Sequence, residues 1–374
     1  MPVHQSYGRK LETRPIRLMI VDDSIVARSV FQTILSPLPD FEIVATASSA
    51  AQALARLDAT TVDIVLLDLA MPGMDGFAAL PEILKRGRGA RVLIVSASAG
   101  VGAEACVRAM TLGAADTLEK PVAGGFADHF RLDLVDKLRR IGGDSRVPDR
   151  AVVREVAPAA RPELDLPAMR QPVPGVIDCL AIGASTGGLH ALSALFAALP
   201  PSCDMPILVT QHLPASFMPY FADQMSTITG RPATVAREGM SLLPGQLLIA
   251  PGDAHITVGM IGGCPRILLN RDPAPSACMP SVDPMLASVA QVYAERAFAV
   301  VLSGMGRDGM IGARALVEAG GEVAVQNRAT SVVWGMPGSV AKAGLAATIA
   351  SPAQIAARIV ERVEGRAARL APWR

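Results

Sequence analysis

The sequence predicts two α/β domains in tandem, each built on a parallel or mostly parallel sheet. Three observations predict this. Apolar runs of strand length alternate with helical patterns over residues 16–141. The pattern stops over residues 142–175, which are rich in Pro, Ala, Arg and acidic residues. It then resumes and continues to about residue 363. Continuous apolar strands joined by helices require a parallel sheet covered on both faces.

In the first domain, strands fall at 16–23, 42–48, 63–69, 91–97 and 114–120, each an apolar run of the length a buried strand needs. Helices fall between and after them at 24–35, 49–59, 77–86, 102–112 and 126–141. Residues 142–175 read as a linker. In the second domain a strand at 179–184 leads into a helix at 188–199, and a strand at 206–211 into a helix at 217–227. Runs at 246–250 and 266–270 read as strands, with a hairpin around Gly262–Gly263. A helix at 283–293, a strand at 297–303, a helix at 310–319, a strand at 322–326 and a final amphipathic helix at 352–363 complete the chain. The expected division is a lead at 1–15, a first domain at 16–141, the linker, and a second domain at 176–366.

The composition supports sizeable cores. Of 374 residues, 51% are hydrophobic and 18% charged, and the scarcity of aromatics, at 4%, leaves those cores to Ala, Val, Leu, Ile and Met. The net charge of +1 gives no electrostatic footprint for nucleic acid. No apolar run is long enough to span a membrane, and the first residues lack the apolar stretch of a signal peptide. Five cysteines, with no C-x-x-C pair, argue against a disulfide framework or zinc site and for a reducing compartment, so a cytoplasmic protein is expected.

The first domain gathers polar groups at one sheet edge. Asp22 and Asp23 close the first strand, Asp68 the third, Ser96 the fourth and Lys120 the fifth. Ligands of open parallel sheets bind at the carboxyl ends of the strands. Three carboxylates together repel one another without a cation, and Mg²⁺ suits such a site. Lys120 and Ser96 would contact phosphate oxygens, so the chemistry suggested is attack by a carboxylate to give an aspartyl phosphate.

These residues resemble those of response-regulator receiver domains: Asp22-Asp23, Asp68 followed by Leu-Ala-Met-Pro-Gly-Met-Asp-Gly, Ser96, and Lys120-Pro121. The resemblance implies a flavodoxin-like receiver, Asp68 as phosphoacceptor, and Mg²⁺ on Asp23, Asp68 and the Ala70 carbonyl, with Asp22 beside them. It implies a cis Lys120–Pro121 peptide as well. Thr117 stands where receivers often carry an aromatic switch residue.

In the second domain, Gly183-Ala-Ser185-Thr-Gly187 links a strand to a helix. Such a turn exposes a serine hydroxyl beside free backbone N–H groups at a helix start, although it would also suit a phosphate. A serine nucleophile needs a base. Of His4, His129, His190, His212 and His255, His212 ends a strand of the same sheet and His255 ranks second. For the carboxylate, Asp308 fits, in the Gly304-Met-Gly-Arg-Asp308-Gly segment that directly follows the 297–303 strand; Asp253 is a weaker rival, and Asp272 and Asp283 lie in loop-like sequence. Candidate oxyanion donors are the backbone N–H groups of Thr186 and Met305. The order Ser185…His212…Asp308 differs from that of the α/β-hydrolases.

Gly-Ala-Ser185-Thr-Gly-Gly, Thr210-Gln-His212-Leu-Pro, Ala250-Pro-Gly-Asp, Pro280-Ser-Val-Asp283, Ser303-Gly-Met-Gly-Arg-Asp308-Gly and Gly335-Met-Pro together resemble the catalytic domain of chemotaxis protein-glutamate methylesterases. Arg307, Met279 and Gly338 depart from residues common in that family. The resemblance implies Ser185, His212 and Asp308 as a triad that needs no cofactor. It implies hydrolysis of glutamate γ-methyl esters, with glutamine deamidation. Chemoreceptors would be the substrate, and a chemotaxis histidine kinase the phosphodonor. A transcriptional regulator is disfavoured, because no basic helix-turn-helix follows residue 175.

Overall fold

The computed structural model describes residues 14–97, 101–120, 128–143, 166–173 and 175–370. The N-terminal unit runs β1 (Ile16–Val21), α1 (Ile25–Leu35), β2 (Phe41–Ala47), α2 (Ala50–Ala59), β3 (Ile64–Leu67), α3 (Gly76–Arg86), β4 (Arg91–Ala97), α4 (Val101–Thr111), β5 (Asp116–Lys120) and α5 (Asp128–Gly142). Its five strands form one sheet in the order β2-β1-β3-β4-β5, all parallel. The IVLL run of β3 is buried throughout, as a central strand covered on both faces must be. Helix starts are set by side-chain caps: Ser24, Ser49 and Asp75 each accept a backbone N–H of the first turn.

The C-terminal unit runs β6 (Cys179–Ala184), α6 (Gly188–Ala197), β7 (Ile207–Gln211), α7 (Met218–Thr229), β8 (Ala233–Val235), β9 (Leu247–Ile249), β10 (His255–Ile261), β11 (Cys264–Asn270), α8 (Val282–Tyr293), β12 (Ala297–Val301), α9 (Met310–Glu318), β13 (Glu322–Gln326), α10 (Met336–Lys342), β14 (Thr348–Ala350) and α11 (Pro352–Leu370). Seven strands form a parallel sheet in the order β14-β13-β12-β6-β7-β9-β8.

Period-two alternation distributes each strand between two cores. In β12, Phe298 and Val300 pack on the α6, α7 and α11 side, while Ala297, Ala299 and Val301 face α8 and α9. β10 and β11 lie outside this sheet as an antiparallel hairpin. Its two-residue turn is Gly262–Gly263, both at positive φ, as a tight hairpin requires. The hairpin thus forms where expected. The run at 266–270, however, pairs with 255–261 rather than joining 247–249, which enters the main sheet.

The two units are docked. Val107 and Met110 of α4 belong to the same apolar cluster as Leu189 and Leu192 of α6 and Phe221 of α7. Phe217 packs back against the N-terminal unit's core. Residues 166–173, expected within a linker, lie along the C-terminal unit. Leu166 packs on its core, and Arg170 N–H donates to the Ala346 carbonyl. Val173 N–H donates to Glu322, a fully buried carboxylate that also binds Arg358 and Arg362 of α11.

Candidate active site and receiver pocket

Adjacent strands β12, β6 and β7 deliver Asp308, Ser185 and His212 to one edge of the C-terminal sheet. Ser185 follows β6 directly, and its N–H donates to the Ser303 carbonyl at 3.0 Å. The turn continues through Gly187 at φ +75°, a conformation costly for a residue with a Cβ. Gly304, after β12, passes so close that a Cβ there would meet the Ser185 Cβ at 2.8 Å. His212 follows β7, its N–H held by the Ala184 carbonyl at 3.1 Å.

The His212 imidazole points Nε2 at Asp308 Oδ2, 2.7 Å away. Asp308 is buried and accepts four further bonds, from the Ser281 hydroxyl at 2.6 Å and the N–H groups of Val282, Asp283 and Gly309 at 2.8, 3.2 and 3.0 Å. Burial opposes its charge, but the bonds from His212, Ser281 and Val282 prevail and hold its carboxyl below the usual range. Neighbouring Asp283 shifts the other way, raised first by burial, while its carboxylate accepts the Gly312 N–H. For His212, burial favours the neutral ring, yet the bonds to Asp308 and Cys278 and the charge of Asp308 outweigh it and raise the pKa to about 9.

Ser185 and His212 line one cavity of about 230 Å³ together with Thr186, Cys278 and Met279. Among the described residues the Ser185 hydroxyl has no hydrogen-bond partner, so serine and imidazole share the cavity without a bond between them. The other wall belongs to the N-terminal unit, through Met110, Ala115, Asp116, Lys137 and Arg140. Two bonds cross directly onto the serine turn: Thr186 Oγ1 donates to Asp116 Oδ2 at 2.9 Å, and Gly187 N–H donates to the Ala115 carbonyl at 2.8 Å. Lys137 holds Asp116 Oδ1 at 2.8 Å. Met305 is exposed and does not line the cavity.

The rival residues have other duties. His255 Nδ1 accepts the Ser281 N–H at 2.8 Å, so Nε2 carries the proton and donates to the Asp272 carbonyl at 2.9 Å. It thereby braces the loop that presents Ser281 to Asp308. His190 is exposed on α6, and Asp253 is exposed with Arg271 at 3.5 Å. Sequence reasoning assigned no role to Ser281, Cys278 or Asp116. A serine two residues before Asp283 is a recognisable helix cap, and Ser281 does cap α8; the other two carry no local signal.

In the N-terminal unit, Lys120 Nζ lies 2.8 Å from Asp68 Oδ2 and 2.7 Å from Asp22 Oδ2. Burial opposes the Lys120 charge, but both bonds raise its pKa; burial likewise raises that of Asp22. Carboxylate oxygens of Asp22, Asp23 and Asp68 lie within 4.8 Å of one another. An all-oxygen anionic set of this kind fits Mg²⁺, which the receiver fold suggests there. Ala70 N–H donates to Asp68 Oδ1 at 3.3 Å, and Ser96, half-buried, stands near the end of β4. Thr117 is buried in β5. The peptide to Pro121 lies outside the described residues.

An acidic receiver pocket on one sheet and a serine–histidine–aspartate edge on a second, docked against it, define a hydrolase linked to a response regulator. The response regulator receiver domain family matches residues 18–125, and the CheB methylesterase family matches residues 180–359. A "protein-glutamate methylesterase/protein-glutamine glutaminase 1" of Paramagnetospirillum magneticum is 38% identical, covering 93% of this chain and 96% of the relative. A Caulobacter vibrioides protein named "protein-glutamate methylesterase/protein-glutamine glutaminase 2" is 41% identical, covering 93% and 99%. A Rhodopseudomonas palustris "protein-glutamate methylesterase/protein-glutamine glutaminase of group 2 operon" is 38% identical, covering 94% and 95%. The chain belongs to the CheB protein-glutamate methylesterase family.

Proposed function

We propose that this chain hydrolyses glutamate γ-methyl esters on chemoreceptors, releasing methanol, and deamidates receptor glutamines, under control of phosphorylation at Asp68 by a chemotaxis histidine kinase. The observation that carries the chemistry is the 2.7 Å bond between His212 and a carboxylate fixed by four other donors, in the cavity that Ser185 lines. Ser185 Oγ attacks the side-chain carbonyl and His212 takes its proton. Because Nε2 is committed to Asp308, Nδ1 is the acceptor. Asp308 fixes the ring and stabilises the imidazolium. Methanol or ammonia leaves with the proton from His212, and water, activated by the same ring, releases glutamate from the acyl-enzyme. The backbone N–H of Thr186, which lines the cavity, would hold the oxyanion, contributing about 3 kcal/mol.

The two bonds that the serine turn donates to residues 115 and 116 support autoinhibition: the receiver walls in the cavity that a receptor glutamate must enter. The division into a receiver at 16–141, a linker at 142–175 and a catalytic domain at 176–366 is part of the same reading. Asp22, Asp23, Asp68 and the Ala70 carbonyl would hold Mg²⁺, which when bound screens the phosphoryl oxygens. Lys120 and Ser96 contact the phosphoryl group, and Lys120 must then exchange a carboxylate partner for phosphate. Methanol release from methylated receptor, with and without a small-molecule phosphodonor, tests the proposal. Ser185→Ala should lower the rate by about 10⁴-fold or more. Asp68→Asn should retain basal turnover and lose stimulation; stimulation that survives would refute Asp68 as the acceptor.

A further inference from the structure

Among the described residues, two groups of side chains are placed to hold a metal ion, and they differ in chemistry. The receiver cluster offers oxygen alone. The other comprises an imidazole nitrogen of His212, Sγ of Cys278 and a carboxylate oxygen of Asp308, all within 4.8 Å of one another. Nitrogen and sulfur donors select zinc-class ions over Mg²⁺.

The geometry suits such an ion. In a tetrahedral zinc site with bonds of about 2.1 Å to nitrogen and oxygen and about 2.3 Å to sulfur, the ligand atoms lie about 3.4–3.6 Å apart. His212 Nε2 and Asp308 Oδ2, now 2.7 Å apart, would have to separate by under about 1 Å. The sulfur, within 4.8 Å of an imidazole nitrogen and of a carboxylate oxygen, has to close by about 1.2 Å at most to join them. The loop that carries Cys278 is already fixed. Ser276 Oγ donates to Ser281 Oγ at 3.0 Å, Ser281 donates to Asp308 at 2.6 Å, and His255 holds the Ser281 N–H. Cys278 is half-buried and lines the Ser185 cavity, so an ion can reach it and keep a water in the fourth position.

We propose that His212, Cys278 and Asp308 form an inhibitory site for zinc-class divalent ions, in which the ion replaces the proton shared by His212 and Asp308. The thiol and the imidazolium give up their protons as the metal bonds form. A metal-bound His212 cannot accept the Ser185 proton, so ester hydrolysis stops until the ion is removed. Inhibition rests on the esterase reading; binding does not.

The test uses metal-free full-length protein in excess Mg²⁺, which fills the oxygen site. Titration with Co²⁺ should develop a thiolate-to-cobalt charge-transfer band saturating at one ion per chain and bleached by Zn²⁺. The band should persist in Ser185→Ala and vanish in Cys278→Ser. Zn²⁺ should inhibit methanol release, reversed by chelator. Taken relative to its own metal-free rate, Cys278→Ser should need at least about tenfold more Zn²⁺. Cys278→Asp, which restores a ligand, should stay zinc-sensitive without the band, and so separates ligation from misfolding. A band that survives in Cys278→Ser, the absence of any band, or zinc inhibition equal in wild type and Cys278→Ser would each overturn the site. Metal-free protein that releases no methanol would instead refute the esterase reading, while the cobalt spectrum still decides the site.

Discussion

His212 is where the charges of the site meet. With its pKa raised to about 9, the ring is protonated near neutrality, and a protonated ring cannot act as a base. In unphosphorylated protein, kcat/KM for methanol release should therefore climb as pH rises from 7 towards 9. Cys278→Ala removes one of the two groups that raise the pKa, so the climb should begin at lower pH; an unchanged profile would show that the thiol does not tune the ring. Stability runs the opposite way. A histidine whose folded pKa exceeds its unfolded value of about 6.5 stabilises fully below that value, and the contribution fades as pH passes through about 9. Serine and histidine were legible because each directly follows a strand, and aspartate because it sits in the loop that leaves a third; parallel-sheet geometry brings such positions together. Cys278 was not, since a loop of no regular period carries it, and only folding reveals which strand end that loop approaches. Ser281 lay within a quoted motif, but nothing local says that a cap also braces a carboxylate across 27 residues.

At the scale of elements, β5 connects the two sites. It begins at Asp116, which accepts the Thr186 hydroxyl, and ends at Lys120, which contacts Asp68. Four residue steps of strand, about 13 Å, separate them. Removing the Asp116 acceptor should loosen the docked state by about 0.5–1.5 kcal/mol, the net value of one hydrogen bond. Asp116→Ala should thus raise methanol release without phosphodonor by about two- to tenfold, and the phosphodonor should add proportionately less. The long elements were readable from their periods. The short ones were not: β8 and β14 have three residues each, all half-buried, and α10 begins Met-Pro-Gly, which reads as a turn. The strand at 255–261 was missed as an element because exposed Met260 and Ile261 spoil the alternation expected of a half-buried run.

At the scale of the molecule, composition and alternation made both sheets legible, but nothing in either pattern says that one sheet's helix α4 packs on the other's α6 and α7. Docking depends on surfaces, and periodicity reports only which face of an element is apolar. The path of residues 166–173 was equally hidden. Leu166, Ala168, Met169 and Val173 follow no strand or helix period, and beyond Leu166 the segment is held mainly through backbone groups. Arg358 and Arg362 donate to the Val173 and Gly175 carbonyls while gripping Glu322, itself a partner of the Val173 N–H. Any attempt to free the esterase by cutting away the receiver therefore depends on where the scissors fall. A fragment starting at Val176 strips a sealed carboxylate of one donor and two arginines of acceptors, a loss of about 2 kcal/mol, and should melt about 4–8 °C below one starting at Leu166. Calorimetry of the pair would show it, and the shorter piece, sluggish for want of its strap, would wrongly acquit the receiver of inhibition.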